Sequence, residues 1–418
     1  MRQKSWLNGL RQNPFSTPDS VQDTPAFEQL QHLFLDAIHK QATDMHFDPK
    51  LHHVLIRMRV DGHLQELASI PLLQFDTWKR IIKLRSRLNI AENRLPQEGG
   101  FTLDGEPPRC DIRVSFMPTI LGEKCSLRFL PVTENLQTCT DLGLTREQSL
   151  LIEQTIANRE GSVIISGPTG SGKSTTLHTL LSLFPKKSLQ IISIEDPVEI
   201  RDEEINQVQV QEDIDLTYQH LLKKMMRLDP DVFLLGEVRD RETARIACEA
   251  ALTGHFFLTT IHTKSTFDIL LRLLEMGIEP YLIASSLSVL ISERLVRKVC
   301  PFCAEKTPIE IAMLKASGIH SQWVGKGCDH CRYTGYHGRI GVFEVAQISK
   351  ESKKLIADFG LHPDLDRLQE SFRHDCPTTL QYHMMCLIRK GVTNWEEVLV
   401  QTDYCEFQRE SSSISPTN

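Results

Sequence analysis

The chain has 418 residues, of which 40% are apolar and 24% charged, a composition typical of a globular protein with two or three domains. Its net charge of −7 disfavours nucleic acid as the main partner, because phosphate binding needs a basic surface. The longest uncharged apolar run, near Tyr281–Ile291, is too short to span a bilayer, and the amino terminus lacks the apolar core of a signal peptide, so we expect a cytoplasmic protein.

The first third of the sequence predicts a flexible leader followed by a small α+β domain. Residues 1–25 are polar and rich in Pro, Gln and Ser, and predict the leader. Apolar spacing over residues 26–132 then predicts helices and strands of one compact domain. The predicted elements are helices at 26–40 and 75–88, and strands at 54–60, 110–116 and 124–130.

A polar linker at 133–142 precedes a larger domain at 143–401. Short apolar strands alternate there with helical segments, a pattern that indicates a doubly wound parallel α/β sheet. After a cysteine-bearing insert we expect a helical remainder, and residues 402–418 predict a disordered tail. The predicted strands are Ser162–Ser166, Gln190–Ile194, Val232–Leu235 and Phe256–Thr260.

A glycine-rich loop between the first of these strands and a helix matches G-x-x-x-x-G-K-[ST] at every position. Glycines let backbone N–H groups surround phosphate oxygens, and the helix amino terminus adds its positive dipole end. Lys173 is placed for the β- and γ-phosphates, and Ser174 for Mg²⁺. The predicted ATP-binding residues are Gly167, Pro168, Thr169, Gly170, Ser171, Gly172, Lys173, Ser174 and Thr175.

Acidic residues follow two further strands, where the carboxyl edge of such a sheet forms the ligand crevice. Glu195 and Glu199 follow one strand, and Glu237 follows another. Each cluster alone is as often a solvated turn, but beside a phosphate loop such carboxylates can orient water or bind Mg²⁺. We expect Glu195 to be the base and Glu237 to be the carboxylate linked to Mg²⁺. His255 and His262 flank the strand Phe256–Thr260 and are either structural or sensors of the γ-phosphate.

Two C-x-x-C pairs, separated by 24 residues, predict a structural zinc site within a subdomain at 298–340. Four thiolates leave no open position for catalysis on the metal. The alternative is four unrelated thiols. The predicted ligands are Cys300, Cys303, Cys328 and Cys331.

Several motifs in a fixed order resemble those of the type II secretion and type IV pilus assembly ATPases. The segments 42–49 and 57–62 resemble the start of the family's second N-terminal domain. The chain is also similar to the family in its aspartate box at 194–199, its Walker B region at 227–231 and 236–240, and its histidine box at 252–255 and 260–263.

The resemblance implies a RecA-like, phosphate-loop ATPase core that converts ATP and water to ADP and phosphate, with Mg²⁺ and Zn²⁺ as further cofactors. It implies a homo-hexameric ring in which nucleotide lies between one subunit's ATPase domain and a neighbouring N-terminal domain. Arg113 and Arg128 match N-terminal-domain arginines of the family that approach the phosphates, and Arg227 matches an arginine of its ATPase domain.

The resemblance also implies peripheral association with the bacterial inner membrane. The expected partners are a polytopic platform protein and the cytoplasmic domain of a membrane-anchored assembly protein, with no direct contact to nucleic acid. The zinc subdomain favours pilus assembly over retraction. Only the leader precedes the second N-terminal domain in this sequence, which predicts a short form without the first.

This sequence departs from the family pattern at several positions. They are Gly100, where an arginine is common, Gln211 and Lys264 for asparagine, Lys223 for arginine, and Glu293 for glutamine. The changes at Lys223 and Gly100 keep open a second function class, an ATP-gated scaffold that hydrolyses little. A third class is a nucleic-acid motor, since similar α/β cores drive helicases, although the acidic balance disfavours direct DNA binding. A motor for a competence pilus is also compatible with the main prediction.

Overall fold

The computed structural model describes residues 25–103, 110–131, 138–360 and 362–401. The chain divides into two compact units, Met1–Glu134 and Asn135–Asn418. Apart from Pro25, the predicted leader lies outside the described residues, and so does the predicted tail at 402–418. Among the helices in the described ranges, none has the length and apolar character needed to cross a membrane.

The first unit is a six-stranded sheet with two helices. Its strands lie in the order β3-β2-β1-β6-β5-β4, and neighbouring strands are antiparallel. Every second residue of a strand faces the helices, and these residues form one core with the apolar side of α1 and α2. In chain order the elements are α1 (Pro25–His39), β1 (Ala42–Pro49), β2 (His53–Val60), β3 (His63–Pro71), α2 (Leu72–Arg85), β4 (Gln97–Leu103), β5 (Cys110–Thr119) and β6 (Gly122–Pro131).

The predicted α+β class is confirmed, but three of the six strands were missing from the prediction. β1 contains few large apolar side chains, β3 is an exposed edge strand, and β4 contains Gly99 and Gly100. Such sequences lack the apolar alternation from which a strand is predicted. Pairing with a neighbouring strand makes them strands: β3 pairs with β2, β4 with β5, and β1 with both β2 and β6.

The second unit is built on a seven-stranded sheet in the order β15-β12-β7-β11-β10-β8-β9. All neighbours are parallel except β12 and β15. Its elements are α3 (Cys139–Leu142), α4 (Arg146–Asn158), β7 (Ser162–Ser166), α5 (Lys173–Leu181), β8 (Ile191–Glu195), β9 (Asn206–Gln209), α6 (Tyr218–Met225), β10 (Val232–Leu235), α7 (Arg241–Leu252), β11 (Phe256–Ile261), α8 (Thr266–Glu275), α9 (Pro280–Ser286), β12 (Val289–Val299), β13 (Ala304–Pro308), α10 (Ala312–Ala316), β14 (Ser321–Gly325), β15 (Tyr336–Gln347), α11 (Lys350–Asp358), α12 (Leu365–Asp375), α13 (Leu380–Arg389) and α14 (Trp395–Gln401).

The central strands of this sheet are buried on both faces. Successive residues of β10 alternate between two apolar cores: Phe233 and Leu235 lie in one, and Val232 and Leu234 lie in the other. A strand covered on both sides has a continuous apolar sequence, which is why β7, β8, β10 and β11 could be predicted, whereas the parallel strands β9 and β12 were not. The doubly wound parallel sheet is confirmed.

The prediction of a helical remainder after the cysteine insert was wrong in part. Residues Tyr336–Gln347 form β15, which pairs antiparallel with β12 along its length. The insert itself is the antiparallel hairpin of β13 and β14 with α10 between them. In the segment predicted as a linker, Cys139–Leu142 form α3. A capping box between Thr138 and Asp141 caps the amino terminus of this helix.

Candidate nucleotide site and cysteine cluster

The glycine-rich loop joins the carboxyl end of β7 to the amino terminus of α5. Gly170 and Gly172 have φ values of +79° and +104°, a region that glycine adopts without steric cost. Gly172 is the residue before α5, and no side chain caps the helix there. The first N–H groups of α5 are therefore available to an anion.

Lys173 and Ser171 mark the interior of this loop. The Lys173 ammonium donates hydrogen bonds to the carbonyl oxygens of Gly167 at 2.8 Å and Pro168 at 3.0 Å. Burial lowers the pKa of Lys173, against the opposing charges of Glu293, Glu237 and others. Ser171 is buried, and its hydroxyl has no partner among the residues that the structure describes. Phosphate oxygens would replace the carbonyl acceptors of the Lys173 ammonium.

Glu195 ends β8 and is held by three donors. Its Oε1 accepts hydrogen bonds from Ser193 Oγ at 2.6 Å and Gln207 Nε2 at 3.1 Å, and its Oε2 lies 3.1 Å from His178 Nε2. The side chain is 7% exposed. A carboxylate offers about four lone-pair sites, so one acceptor position stays open for water. Ser193, Gln207 and His178 could not be predicted from the sequence, because none of them belongs to a recognised motif.

Glu237 follows β10 at the same edge of the sheet. Its carboxylate is paired with Arg239, and His262 Nε2 lies 3.5 Å away. Glu237 and Glu199 both act electrostatically on Lys173, which places these predicted residues around the loop. The phosphate loop and the carboxylates that follow β8 and β10 therefore lie at one edge of the sheet.

Tyr218, at the start of α6, is a further residue at this edge that the sequence analysis missed. Burial raises its pKa, and the charges of Glu237, Asp196 and Glu195 act in the same direction. Its hydroxyl finds no hydrogen-bond partner in the described part of the chain. A buried hydroxyl beside three carboxylates can donate to a water or a ligand oxygen.

The two predicted histidines lie at opposite ends of β11. His262 follows the strand's carboxyl end and reaches Glu237, whereas His255 precedes its amino end. His255 Nδ1 lies 2.9 Å from Thr253 Oγ1 and 3.1 Å from the carbonyl oxygen of Ala250. Since β7 and β11 are parallel, the phosphate loop shares an edge with His262 but not with His255.

Arg227 is exposed just after α6, away from the loop's own contacts. It lines an open cavity of about 470 Å³ together with Lys223, Lys224, His220 and acidic residues. Lys223, which departs from the family pattern, is paired with Glu242.

Arg113 and Arg128 lie side by side in the first unit. They are directly opposite in the β5–β6 pairing, so their side chains share one face of the sheet. Asp44 is opposite Arg128 in the next strand, and Arg128 Nε lies 3.0 Å from Asp44 Oδ1. Arg59 continues the row on β2. The row lies on the face of the sheet that is turned away from α1 and α2. Three of its residues are cationic: Arg113, Arg128 and Arg59.

The four predicted zinc ligands converge. Their Sγ atoms all lie within 4.8 Å of one another, with separations of 3.9 Å between Cys300 and Cys328 and 3.7 Å between Cys303 and Cys331. Tetrahedral zinc with Zn–S bonds of about 2.3 Å needs sulfur separations of about 3.8 Å. The N–H groups of Cys328 and Gly335 point at Cys331 Sγ. Burial opposes ionisation of this thiol, yet these bonds, together with those of the Cys303 and Cys328 thiols, lower its pKa to about 6. The cluster fits a structural zinc ion.

Replacing Cys303 with serine should reduce bound zinc from about one ion per chain to about zero, because a three-thiolate site binds far more weakly. Without the metal, the hairpin of β13 and β14 should become sensitive to limited proteolysis. Cys386→Ser, at a half-buried thiol outside the cluster, is the matched control. Metal analysis by mass spectrometry checks the prediction, and undiminished zinc in Cys303→Ser would contradict it.

A parallel sheet whose G-x-x-x-x-G-K-S loop opens a helix, with carboxylates at the same strand edge, defines a phosphate-loop nucleotide-binding protein. Residues 19–400 match the model of the family described as type II/IV secretion system protein. A type II secretion system protein E of Klebsiella pneumoniae is 39% identical over 402 residues, 92% of this chain and 77% of that protein. The type IV pilus assembly ATPase PilB of Myxococcus xanthus is 34% identical over 392 residues, 92% of this chain and 69% of that protein.

Among solved structures, the ATPase DotB of Legionella pneumophila is similar in fold. The TM-score is 0.66 at 19% identity, over 90% of this chain and 95% of that one. The chain belongs to the type II/IV secretion system protein family, the family of secretion and pilus ATPases. Membership implies a nucleotide and Mg²⁺ as cofactors, and the cysteine cluster is compatible with zinc.

Proposed function

We propose that this protein is a hexameric ATPase motor that powers assembly of a pilus or a type II secretion pseudopilus. The observation that carries the proposal is the common sheet edge: the phosphate loop follows β7, Glu195 ends β8, and Glu237 follows β10 and acts electrostatically on Lys173. In the proposed assembly the ring works at the cytoplasmic face of the inner membrane. It acts on a polytopic platform protein and on the cytoplasmic domain of a membrane-anchored assembly protein.

In the proposed reaction, water attacks the γ-phosphorus, the bond to the β-phosphate oxygen breaks, and ADP and phosphate leave. Glu195, with one acceptor position open, takes the proton of the attacking water. Ser174 and Glu237 would hold Mg²⁺, which neutralises phosphate charge when bound. Glu237 would exchange its pairing with Arg239 for this role. His262 then adjoins the metal-linked carboxylate.

We assign domain roles as the family resemblance suggests. The α+β domain at 26–132 would present Arg113 and Arg128 to nucleotide held by the 143–401 domain of a neighbouring subunit. Arg227 and His255 lie away from the loop of their own chain, which suits roles at a subunit boundary. The zinc subdomain and the assembly-type relatives favour assembly over retraction.

A second candidate is an ATP-gated scaffold of the same machine. The pairing of Glu237 with Arg239 favours it, because it occupies a carboxylate that a hydrolytic site needs. Phosphate release by zinc-replete protein with Mg²⁺ATP, measured alongside size-exclusion light scattering, separates the two. Activity per subunit that rises with the hexamer fraction supports the motor. A folded hexamer that binds ATP and releases no phosphate supports the scaffold.

Replacing both Arg113 and Arg128 with alanine should lower the turnover number for ATP at least about tenfold. Cations beside the γ-phosphate stabilise the negative charge that develops in the transition state. If these arginines act on a neighbouring subunit, mixing this variant with Lys173→Ala should restore activity. Each Lys173→Ala subunit supplies intact arginines to a neighbour with an intact loop, which completes about a quarter of the sites in an equal mixture.

Arg87→Ala, at a position outside the β5–β6 row, serves as the control variant for the first unit. Mixtures that stay as inactive as the separate variants, although co-purification of differently tagged subunits shows mixed rings, would place the arginines in their own subunit's site and contradict the proposed arrangement.

A further inference from the structure

Glu293 is a buried carboxyl group packed against the inside of the phosphate loop. It follows Ser292, which pairs with Ser166 at the end of β7, and its side chain is 2% exposed. Its Oε1 lies 2.3 Å from the place a Cβ would take at Gly172, and its carbonyl oxygen lies 2.6 Å from that place at Gly167. Glu293 therefore touches both ends of the loop and fills the space that the two glycines leave.

The surroundings of Glu293 favour its neutral form. Thr176 Oγ1, in the first turns of α5, donates a 2.9 Å hydrogen bond to Oε2. The charged groups that act on the carboxyl are Lys173 of α5 and Arg294 of β12. Burial nevertheless outweighs the hydrogen bond and both cations, and raises the pKa of Glu293 to about 8. An isolated buried carboxylate needs more donors than this to ionise near neutral pH.

The loop must accept an anion with several negative charges. An ionised Glu293 would lie directly behind Gly172, whose following N–H groups would bind the phosphates, and would repel them across a poorly screened interior. It would also attract Lys173, the cation that the phosphates need. Glu237 and Glu199 already place negative charge around Lys173 from the strands across the site. A neutral Glu293 braces the loop without adding to that charge.

We propose that Glu293 is a positioning residue of the nucleotide site that supports the phosphate loop as a neutral carboxylic acid, so that nucleotide binds the protonated protein in preference to the ionised one. This inference rests on the proposed nucleotide site, and it makes the protonation state of Glu293 a determinant of nucleotide binding there. It depends on neither hydrolysis nor ring formation.

The sign of the pH effect follows from linkage. Below pH 8 Glu293 is already protonated, so nucleotide affinity should change little and no proton should be taken up. Above pH 8 the carboxyl group of Glu293 is ionised in the free protein. Nucleotide binding must then be accompanied by protonation of this carboxylate, so the nucleotide affinity falls by about tenfold per pH unit. Between pH 7 and pH 9 the dissociation constant should rise by about tenfold. Proton uptake at pH 9 should approach about one per site.

The test is isothermal titration calorimetry of Mg²⁺ADP with the full chain at pH 7, 8 and 9, in pairs of buffers that differ in ionisation enthalpy. Mg²⁺ADP is not hydrolysed and has no γ-phosphate to titrate. Glu293→Gln keeps the shape and an acceptor for Thr176 but cannot ionise. It should bind as wild type does at pH 7, lose proton uptake, and bind more tightly than wild type at pH 9. Glu275→Gln, an exposed glutamate on α8, should behave as wild type throughout.

Each possible result of the titration supports or overturns the role of Glu293 or the nucleotide site itself. Wild-type binding that is equal at pH 7 and pH 9 with no proton uptake would overturn the role of Glu293, and this measurement stands even if Glu293→Gln fails to fold. A Glu293→Gln variant that keeps the wild-type pH dependence would assign the proton to another group, such as Lys173, and also overturn it. Absence of Mg²⁺ADP binding at pH 7 would instead overturn the nucleotide site of the proposed function.

Discussion

Lys173→Ala should abolish ATP hydrolysis, with turnover reduced by roughly 10²-fold or more and nucleotide affinity strongly weakened. The lysine lies inside the loop, where its ammonium is bound to the carbonyl oxygens of Gly167 and Pro168. These neutral acceptors are replaced by phosphate oxygens when nucleotide binds, and charge-assisted bonds to an anion are stronger than those they replace. No other cation of the loop can substitute, because Lys173 is its one basic residue.

Phosphate release and binding of a fluorescent ADP analogue measure the two losses separately. Lys187→Ala, an exposed lysine shortly beyond α5, is the matched control and should keep both activities. A Lys173→Ala protein that hydrolyses ATP at half the wild-type rate or faster would remove the loop from the reaction altogether.

The parts of this protein that could be predicted from sequence are those whose signal is local. The phosphate loop depends on eight consecutive residues, and β7 and β10 are continuous apolar runs with the bounds that the structure has. By contrast, β12 and β15 pair with each other over ten residues of β12, and their sequences mix charged and apolar side chains. Their strand structure comes from that pairing, which no short window of sequence reports.

The residues of the candidate site also divide into those with a local signal in the sequence and those without one. The carboxyl ends of parallel strands meet at one edge, so Glu195 and Glu237 could be predicted to lie near the loop. The groups that control these carboxylates come from elsewhere: His178 is buried in the middle of α5, and Tyr218 begins α6. Glu293 could be identified only as a departure from a family pattern. Its contact with the loop requires β12 to lie beside β7, which topology alone provides.

Glu195→Gln should lower the turnover number by roughly 10²- to 10⁴-fold while nucleotide binding stays near the wild-type value, because a general base acts only in the chemical step. The surroundings of Glu195 suit it to this role, since Ser193, Gln207 and His178 fix the carboxylate and leave one acceptor position for water. An amide keeps the volume but cannot accept the proton. Glu203→Gln, an exposed glutamate in the following loop, should retain full turnover.

Single-turnover phosphate release and equilibrium binding, compared for Glu195→Gln and Glu237→Gln, distinguish the two carboxylates. If Glu237 supports the metal, its glutamine variant should lose activity mainly by requiring more Mg²⁺, so that high Mg²⁺ restores part of the rate. No concentration of Mg²⁺ should restore Glu195→Gln. The reverse pattern, in which Mg²⁺ rescues Glu195→Gln and leaves Glu237→Gln inactive, would exchange the two roles. The hydrogen bonds around Glu195 would then be structural, and Glu237, released from Arg239, would be the base.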